Sequence, residues 1–212
     1  MEDKNYLEDI TEIKKMMNKS SRFISLSGLS GILAGVYALI GGGYANFIVN
    51  QYFKIDYPNY VSAQKLEKQL IIIAISVILA SLLTGIYLSM SKSRKLGEKL
   101  WDITSKRLLI NFSIPLVTGG VLIIIFLQRE YYDLIAPTTL LFYGMACINA
   151  SKYTLGDVRY LGITITIFGL LAVYFYEYVL IFWMLGFGIG HILYGSLMYF
   201  KDPITKQKSV SL

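Results

Sequence analysis

Long stretches of this 212-residue sequence lack charge altogether, although it contains 20 Lys and Arg and 14 Asp and Glu residues. A helix crosses a bilayer with roughly 20 consecutive apolar residues, and six charge-free windows approach or exceed that length. With 55% hydrophobic residues and a mean hydropathy of +0.53, the sequence predicts an all-α, polytopic membrane protein with six transmembrane helices. The charge-free windows are 23–53, 69–91, 108–128, 134–151, 160–176 and 178–200.

Other scarce residue types exclude whole classes of chemistry. Cys147 is the single cysteine and His191 the single histidine, so an intrachain disulfide, a bis-histidine haem site and a His/Cys zinc site all lack residues. The six windows hold no carboxylate for a bridged metal, and no nucleotide-binding glycine motif follows a strand pattern. We therefore expect no metal and no cofactor, and these absences favour a non-enzymatic protein over an enzyme.

The polar remainder is too short for a separate soluble domain. Residues 1–22 carry Leu7, Ile10, Ile13 and Met17 at helical spacing between charges, which predicts a cytoplasmic amphipathic helix that lies on the leaflet or pairs with another helix. Residues 201–212 form a predicted cytoplasmic tail. The transmembrane domain, 23–200, is predicted to contain helices at about 23–45, 69–91, 108–128, 134–151, 159–176 and 178–200.

The loops alternate in basic content. All but four of the 20 Lys and Arg residues fall on one side, the exceptions being Lys54, Lys65, Lys68 and Arg129. The positive-inside rule then places both termini in the cytoplasm, and the net charge of +6 follows from topology without a nucleic-acid partner. Segment 92–106 is predicted to be a basic helix on anionic lipid.

Three local features predict irregular helix geometry. Gly41–Gly43 is expected to end or break the first helix near the outer surface, because glycine has the largest backbone entropy cost in a helix. Pro115 lacks an N–H, so it should leave the carbonyl of Asn111 without its helical donor. The last two helices meet at Glu177, which requires a tight hairpin.

A short match between residues 22–37 and 159–174 suggests internal repetition. Helices that begin at Arg22, Arg107 and Arg159 would all run outward. Three stacked helical hairpins are one architecture that this pattern predicts.

Small residues predict where helices approach closely. Ser27, Gly31 and Gly35 recur at four-residue spacing in the first window, and the last window carries Gly186 and Gly190, together with Gly188 and Gly195. Such ridges permit close backbone packing where the hydrophobic effect does not drive association. We expect the first and last helices to pack on each other through these residues.

His191 lies roughly 15 Å from the inner boundary, counted from Lys201 at 1.5 Å per residue. One interpretation is a neutral imidazole that is hydrogen-bonded to a neighbouring helix; another is proton-linked transport or gating. Gly28-Leu29-Ser30-Gly31 resembles the GxSG motif of rhomboid intramembrane proteases, which implies Ser30 as nucleophile and His191 as its base. The resemblance covers four residues and lacks that family's other polar motifs.

In overall pattern the chain resembles uncharacterised six-helix proteins of bacterial inner membranes, most of all over Ser20–Gly43. This resemblance implies a topology but no activity. The main hypothesis is a non-enzymatic subunit, sensor or regulator that contacts the lipid bilayer and a second copy or another membrane protein. The alternative is a small transporter or channel for a neutral or apolar solute. Its path would be lined by His191, Tyr37, Tyr174 and Asn111. An intramembrane hydrolase that uses Ser30 and His191 is the remote alternative.

Overall fold

A computed structural model describes residue 10 and residues 27–54, 60–97 and 101–201. Apart from Ile10 and Lys201, the predicted amphipathic helix 1–22 and tail 201–212 lie outside these ranges, so both stay predictions. Within them the chain forms helices and no strand. The helices are α1 (Gly28–Tyr52), α2 (Tyr60–Leu96), α3 (Ile103–Gln128), α4 (Ile135–Ala150), α5 (Asp157–Tyr174) and α6, which is built of Val179–Trp183, Met184–Gly190 and His191–Lys201.

Six helical spans among the described residues are long and apolar enough to cross a membrane. The predicted all-α, polytopic architecture is confirmed, and the chain has the fold of a multi-pass helical membrane protein. The 37 residues of α2 exceed the predicted window 69–91 at both ends. At 1.5 Å per residue α2 is about 55 Å long, against a hydrocarbon core of about 30 Å, because lysine, glutamate and glutamine favour helix and let it continue into the polar layers.

The predicted surface helix over 92–106 is wrong. Its first residues belong to α2, and α3 begins at Ile103. Asp102 caps α3, because its carboxylate accepts hydrogen bonds from the backbone N–H and the hydroxyl of Ser105, each at 2.6 Å. These two bonds stabilise the ionised form and lower the pKa of Asp102.

The expected break at Gly41–Gly43 is also wrong, because α1 continues without interruption to Tyr52. The reason is tertiary packing. Gly41 lies directly against Val77 of α2, and a Cβ added at Gly42 would lie 2.6 Å from Cγ of Met184 in α6. The close approach of two neighbours offsets the entropy that glycine loses in a helix.

The helices pack as three hairpins, α1–α2, α3–α4 and α5–α6, with α5–α6 in the middle. In this arrangement α6 packs on α1, and α4 packs on both α5 and α6. In the most apolar stretch of α2 none of the residues is buried, and in that of α3 only 6% are buried. In the span that contains α4, 39% of these residues are buried. Among the described residues α2 and α3 do not pack along each other, although the Tyr132 hydroxyl before α4 donates to Glu67 of α2 at 3.5 Å. The repeat that suggested this architecture stays a prediction.

The core lies where α4, α5 and α6 meet. Leu140 and Ile165 are fully buried there. A Cβ added at Gly144 of α4 would lie 2.7 Å from the carbonyl oxygen of Gly162 in α5, and the reverse distance is the same. The two backbones are therefore in direct contact, which only glycine allows at both positions.

The carbonyl that Pro115 frees has a donor in the next helix. Pro115 lies inside α3, and Nδ2 of Asn149 in α4 donates to the carbonyl oxygen of Asn111 at 2.8 Å. The side chain of Asn111 itself donates to the carbonyl of Arg107 at 2.8 Å. The backbone group that loses its partner to proline is thus satisfied by a neighbouring helix, as the membrane interior requires.

We predict that Asn149→Ala lowers the free energy of unfolding by about 1 kcal/mol, because it leaves the Asn111 carbonyl without a donor. Pro115→Ala restores a backbone N–H at that carbonyl, so Asn149→Ala should cost much less in the Pro115→Ala background. Unfolding of the four proteins in bicelles gives the coupling free energy of this double-mutant cycle. Equal costs in both backgrounds would contradict the proposed partnership.

Candidate functional site

The glycine faces of α1 and α6 meet in direct backbone contact. A Cβ added at Gly35 would lie 2.5 Å from the carbonyl oxygen of Gly188, and one at Gly31 would lie 3.2 Å from Cα of Gly195. A Cβ added at Gly195 would in turn lie 2.8 Å from the carbonyl oxygen of Gly28. These glycines form the α1–α6 seam, in which no larger residue fits without a shift of the helices.

The predicted packing residues do not share one interface. Gly31 and Gly35 belong to the α1–α6 seam, and Gly186 lies against Leu140 of α4. For Gly190 the nearest residue of another helix is Leu161 of α5, at 3.6 Å from an added Cβ. Ser27 precedes α1 and is half-buried, and its carbonyl accepts a bond from the Ser30 backbone N–H. The prediction assumed that residues four apart share one face, as in a regular α-helix. In α6 the segment that contains Gly186 and Gly190 is a π-helix, so this assumption fails there.

We predict that Gly195→Ala destabilises the protein by about 1–3 kcal/mol, because its new methyl group must displace the backbone of α1. Gly43→Ala is the matched control, since Gly43 is inside α1 with nothing within 4 Å of an added Cβ, and it should stabilise the helix by up to about 1 kcal/mol. Thermal unfolding in one detergent measures both. Similar effects for the two variants would rule out the seam as a tight interface.

His191 follows directly on a π-helical segment, Met184–Gly190. Its side chain is buried, and its Nε2 lies 2.9 Å from the hydroxyl of Tyr143 in α4, within hydrogen-bonding distance. Nδ1 is also buried and has no hydrogen-bond partner among the described residues. The expected hydrogen bond between His191 and a neighbouring helix is therefore present, but the imidazole is only half satisfied.

Aromatic side chains connect this pair to a second polar contact, four residues away on α4 and eight residues away on α6. Trp183 Nε1 donates to the hydroxyl of Thr139 at 3.1 Å. Phe187 fills the space between the two polar contacts, with its ring centroid 5.0 Å from both Trp183 and Tyr143 and 6.0 Å from His191. We call these five residues the α4–α6 clamp. Its members on each helix follow at four-residue spacing, and both helices run in the same direction.

The π segment explains why both ends of the clamp face α4. Eight residues of regular α-helix turn about 80° past a whole number of turns, so Trp183 and His191 would point to different neighbours. A π segment, with its i→i+5 bonds, holds more residues in each turn and offsets this drift. Sequence reasoning missed Thr139, Tyr143 and Trp183, although their spacing on two helices of the same direction was a usable signal.

No hydrogen bond joins Ser30 and His191 in the part of the chain that the structure describes. The hydroxyl of Ser30 donates to the carbonyl of Ser27 at 2.6 Å, while His191 is bonded to Tyr143 through Nε2 and to nothing through Nδ1. A serine nucleophile must lie within hydrogen-bonding reach of its base, and no such bond is present here. The GxSG motif is explained by packing, because Gly28 and Gly31 are part of the α1–α6 seam.

The four residues predicted to line a path lie at separate places. Tyr37 bonds to Thr84 of α2 at 3.2 Å. Tyr174 is 78% exposed and packs edge-on against the neighbouring Phe175. Asn111 bonds within α3, and His191 belongs to the clamp. No hydrogen bond or ring contact in the described structure joins any two of the four.

An open groove of about 310 Å³ runs between α1 and α2. Tyr37, Tyr44, Ile72 and Ser76 are among its lining residues, and the Ser76 hydroxyl donates to the carbonyl of Ile72 at 2.8 Å. The groove is therefore apolar and offers few free polar atoms.

No protein-family model, curated protein or solved structure matches this chain. What the protein does must therefore follow from its own residues.

Cys147, one turn beyond Tyr143 on α4, is buried beside Val158 and Met198. Across the described ranges no three His, Cys, Asp or Glu side chains lie close enough together to hold a metal ion. The α4–α6 clamp, with its half-satisfied histidine, is the most distinctive polar site in the described structure.

We predict that Tyr143→Phe shifts the Nε2 resonance of His191 while Nδ1 moves little, because only Nε2 loses a hydrogen bond. His191 is the single histidine, so histidine-specific ¹⁵N labelling yields one pair of ring signals. The expected loss of stability is about 1 kcal/mol. Tyr174→Phe is the control and should change neither quantity, because Tyr174 is exposed. Unchanged ring signals in Tyr143→Phe would refute the clamp.

Proposed function

We propose that this protein is a non-enzymatic sensor, regulator or subunit that works through changes in the packing of α6 against α1 and α4. The observation that supports this most is the position of the π segment. Met184–Gly190 lies between two anchors of α6 on α4, the Trp183–Thr139 and His191–Tyr143 contacts. An irregular helix in this position can change its register while the surrounding helices stay in place.

In this proposal the π segment exchanges between two arrangements, the observed one and a regular α-helix. Conversion of a π turn to α-helix shifts the following residues by one position, which is about 100° of rotation and 1.5 Å of translation. In α6 this movement would take His191 away from Tyr143 and turn Gly195 out of the α1–α6 seam. At the far end of α6, Lys201 pairs with Asp157 of α5 at 2.8 Å, so the rotation would reach the membrane surface.

The other polar contacts at membrane depth support packing rather than catalysis. Tyr37 bonds from α1 to Thr84 of α2 at 3.2 Å, and Thr164 bonds from α5 to Tyr194 of α6 at 3.3 Å. These hydroxyls are occupied by neighbouring helices, which is the usual use of polar groups between transmembrane helices. A protein that acts by helix contacts needs no more chemistry than this.

The second candidate is a small transporter or channel for a neutral or apolar solute. The open groove beside Tyr37 favours it, because the groove is apolar and long enough to include residues from Tyr37 to Tyr44. The other three residues of the predicted path lie elsewhere, so we rank this function second.

We propose that the protein resides in a bacterial inner membrane, like the six-helix proteins it resembles, with both termini in the cytoplasm. Charge supports the orientation, because the end of the bundle where α2 ends and α3 begins carries eight described Lys and Arg residues and two acids. The opposite end carries four of each. Such asymmetry is typical of the cytoplasmic side.

Partner contact is testable at the two helices with the least burial. Leu83 of α2 and Val117 of α3 are exposed, and a photo-crosslinking residue at either position should form a discrete protein adduct in native membranes. Leu170 of α5 is also exposed and serves as the control on an interior hairpin. Lipid adducts alone at all three positions would count against a partner.

Deletion of Gly190 tests the role of the π segment in the same assay. Removal of one residue should convert the segment to regular α-helix and keep His191 opposite Tyr143, because seven residues of α-helix turn only about 20° less than two whole turns. The ring ¹⁵N signals of His191 report whether the bond is kept. The deletion fixes α6 in the present register, so we expect the yield of the protein adduct to change several-fold. An unchanged adduct, with the His191 bond demonstrably kept, would show that a register change of α6 does not control the partner contact.

A further inference from the structure

We propose that the last turn of α2 and the first turns of α3 form a binding surface for the anionic headgroups of phospholipids. Four exposed cations define this basic rim, namely Arg94, Lys95, Lys106 and Arg107. The inference is independent of the role of the clamp, since it rests on charge at the membrane surface.

The backbone brings the four cations to one end of the bundle. Gly97 adopts a left-handed conformation, with φ of +66°, and its N–H donates to the carbonyl of Arg94 at 3.3 Å, which ends α2 and turns the chain. After a short connection, α3 begins at Ile103. The last turn of α2 and the first turns of α3 therefore present their cations at the same membrane surface.

The described acids at this end leave the basic rim largely uncompensated. Asp102 is held in the cap of α3 by two bonds from Ser105, and Asp157 is paired with Lys201 at 2.8 Å. Neither acid forms an ion pair with a cation of the rim. A surplus of positive charge close to the bilayer surface attracts anionic lipid.

Exposed apolar side chains stand beside these charges. Trp101 is 66% exposed and Ile103 is 71% exposed, and both lie between the two pairs of cations in the chain. An indole favours the layer between headgroups and acyl chains, so Trp101 can hold this connection at the depth where Arg and Lys meet phosphate groups. Charge complementarity and depth together favour a lipid headgroup over a soluble anion.

The opposite end of the bundle provides a matched comparison. Its four described cations, Lys54, Lys65, Lys68 and Arg129, are balanced by four acids, Glu67, Glu130, Asp133 and Glu177. Selection for anionic lipid should therefore occur at the end of the bundle that carries the basic rim and not at the opposite end.

The test uses the full chain in neutral detergent with phosphatidylglycerol or phosphatidylcholine, and native mass spectrometry counts the lipids retained. Wild type should retain phosphatidylglycerol in clear preference. A variant with Gln at all four rim positions should bind it at least about tenfold more weakly, since each cation near an anionic surface contributes about a fivefold preference. The control variant, with Gln at Lys54, Lys65, Lys68 and Arg129, removes the same charge and should stay within twofold of wild type.

Equal retention of the two lipids would overturn the proposal, and so would equal loss in the two variants. Displacement of the lipid by inorganic phosphate at equal concentration would also overturn it, because it would indicate a soluble-anion site. If the fourfold variant does not fold, Lys106→Gln with Arg107→Gln replaces it, and an Arg94→Lys exchange should preserve binding. A preference for phosphatidylglycerol that does not weaken with added salt would also contradict it.

Discussion

The absence of water from the bilayer core is the constraint on which the rest of this structure depends. A polar group at that depth must find its partner within the protein. Backbone groups meet the requirement through helices, and the Asn111 carbonyl, which Pro115 deprives of its donor, is satisfied by Asn149. Side chains follow the same rule in the Tyr37–Thr84 and Trp183–Thr139 contacts. The interior is organised by satisfied polar pairs.

Close packing at glycine residues holds the helices together here, as the hydrophobic effect does in soluble proteins. Lipid is as apolar as leucine, so helices associate only where they fit closely. The Gly144–Gly162 contact and the α1–α6 seam bring backbones together, and these contacts fall on the four helices with the greatest burial. The ends of the arrangement, α2 and α3, have few glycine contacts and stay open to lipid or to a partner.

Rules that act within one helix allowed most of the correct predictions from the sequence. Of the contacts between helices, the packing of the first helix on the last was predicted from their small residues and is present, whereas the contacts of α4 with α6 were not predicted. Six spans follow from composition, and the freed Asn111 carbonyl follows from proline four residues later in the same helix. The break predicted at Gly41–Gly43 was wrong because contacts with residues of neighbouring helices, which the sequence alone does not show, stabilise the helix there. The partner of His191 lies 48 residues earlier, on a helix whose adjacency the sequence did not reveal. The alignment of His191 with Tyr143 also depends on the π segment, which no local sequence pattern predicted.

The α4–α6 clamp is the site that sequence rules predict least well. It is also the site where the requirement that every buried polar group has a partner is met least well. Nδ1 of His191 is buried and has no partner of hydrogen-bonding geometry among the described residues, and a polar group left in this state is costly. The π segment that positions it contains Gly186, Gly188 and Gly190, each of which disfavours helix. Two bonds to α4 and the ring contacts of the clamp offset these costs in the observed register. In the function that we propose, a change that satisfies Nδ1 or weakens either bond would shift α6 toward a second register. Such a response would suit a sensor or regulator built of packed helices.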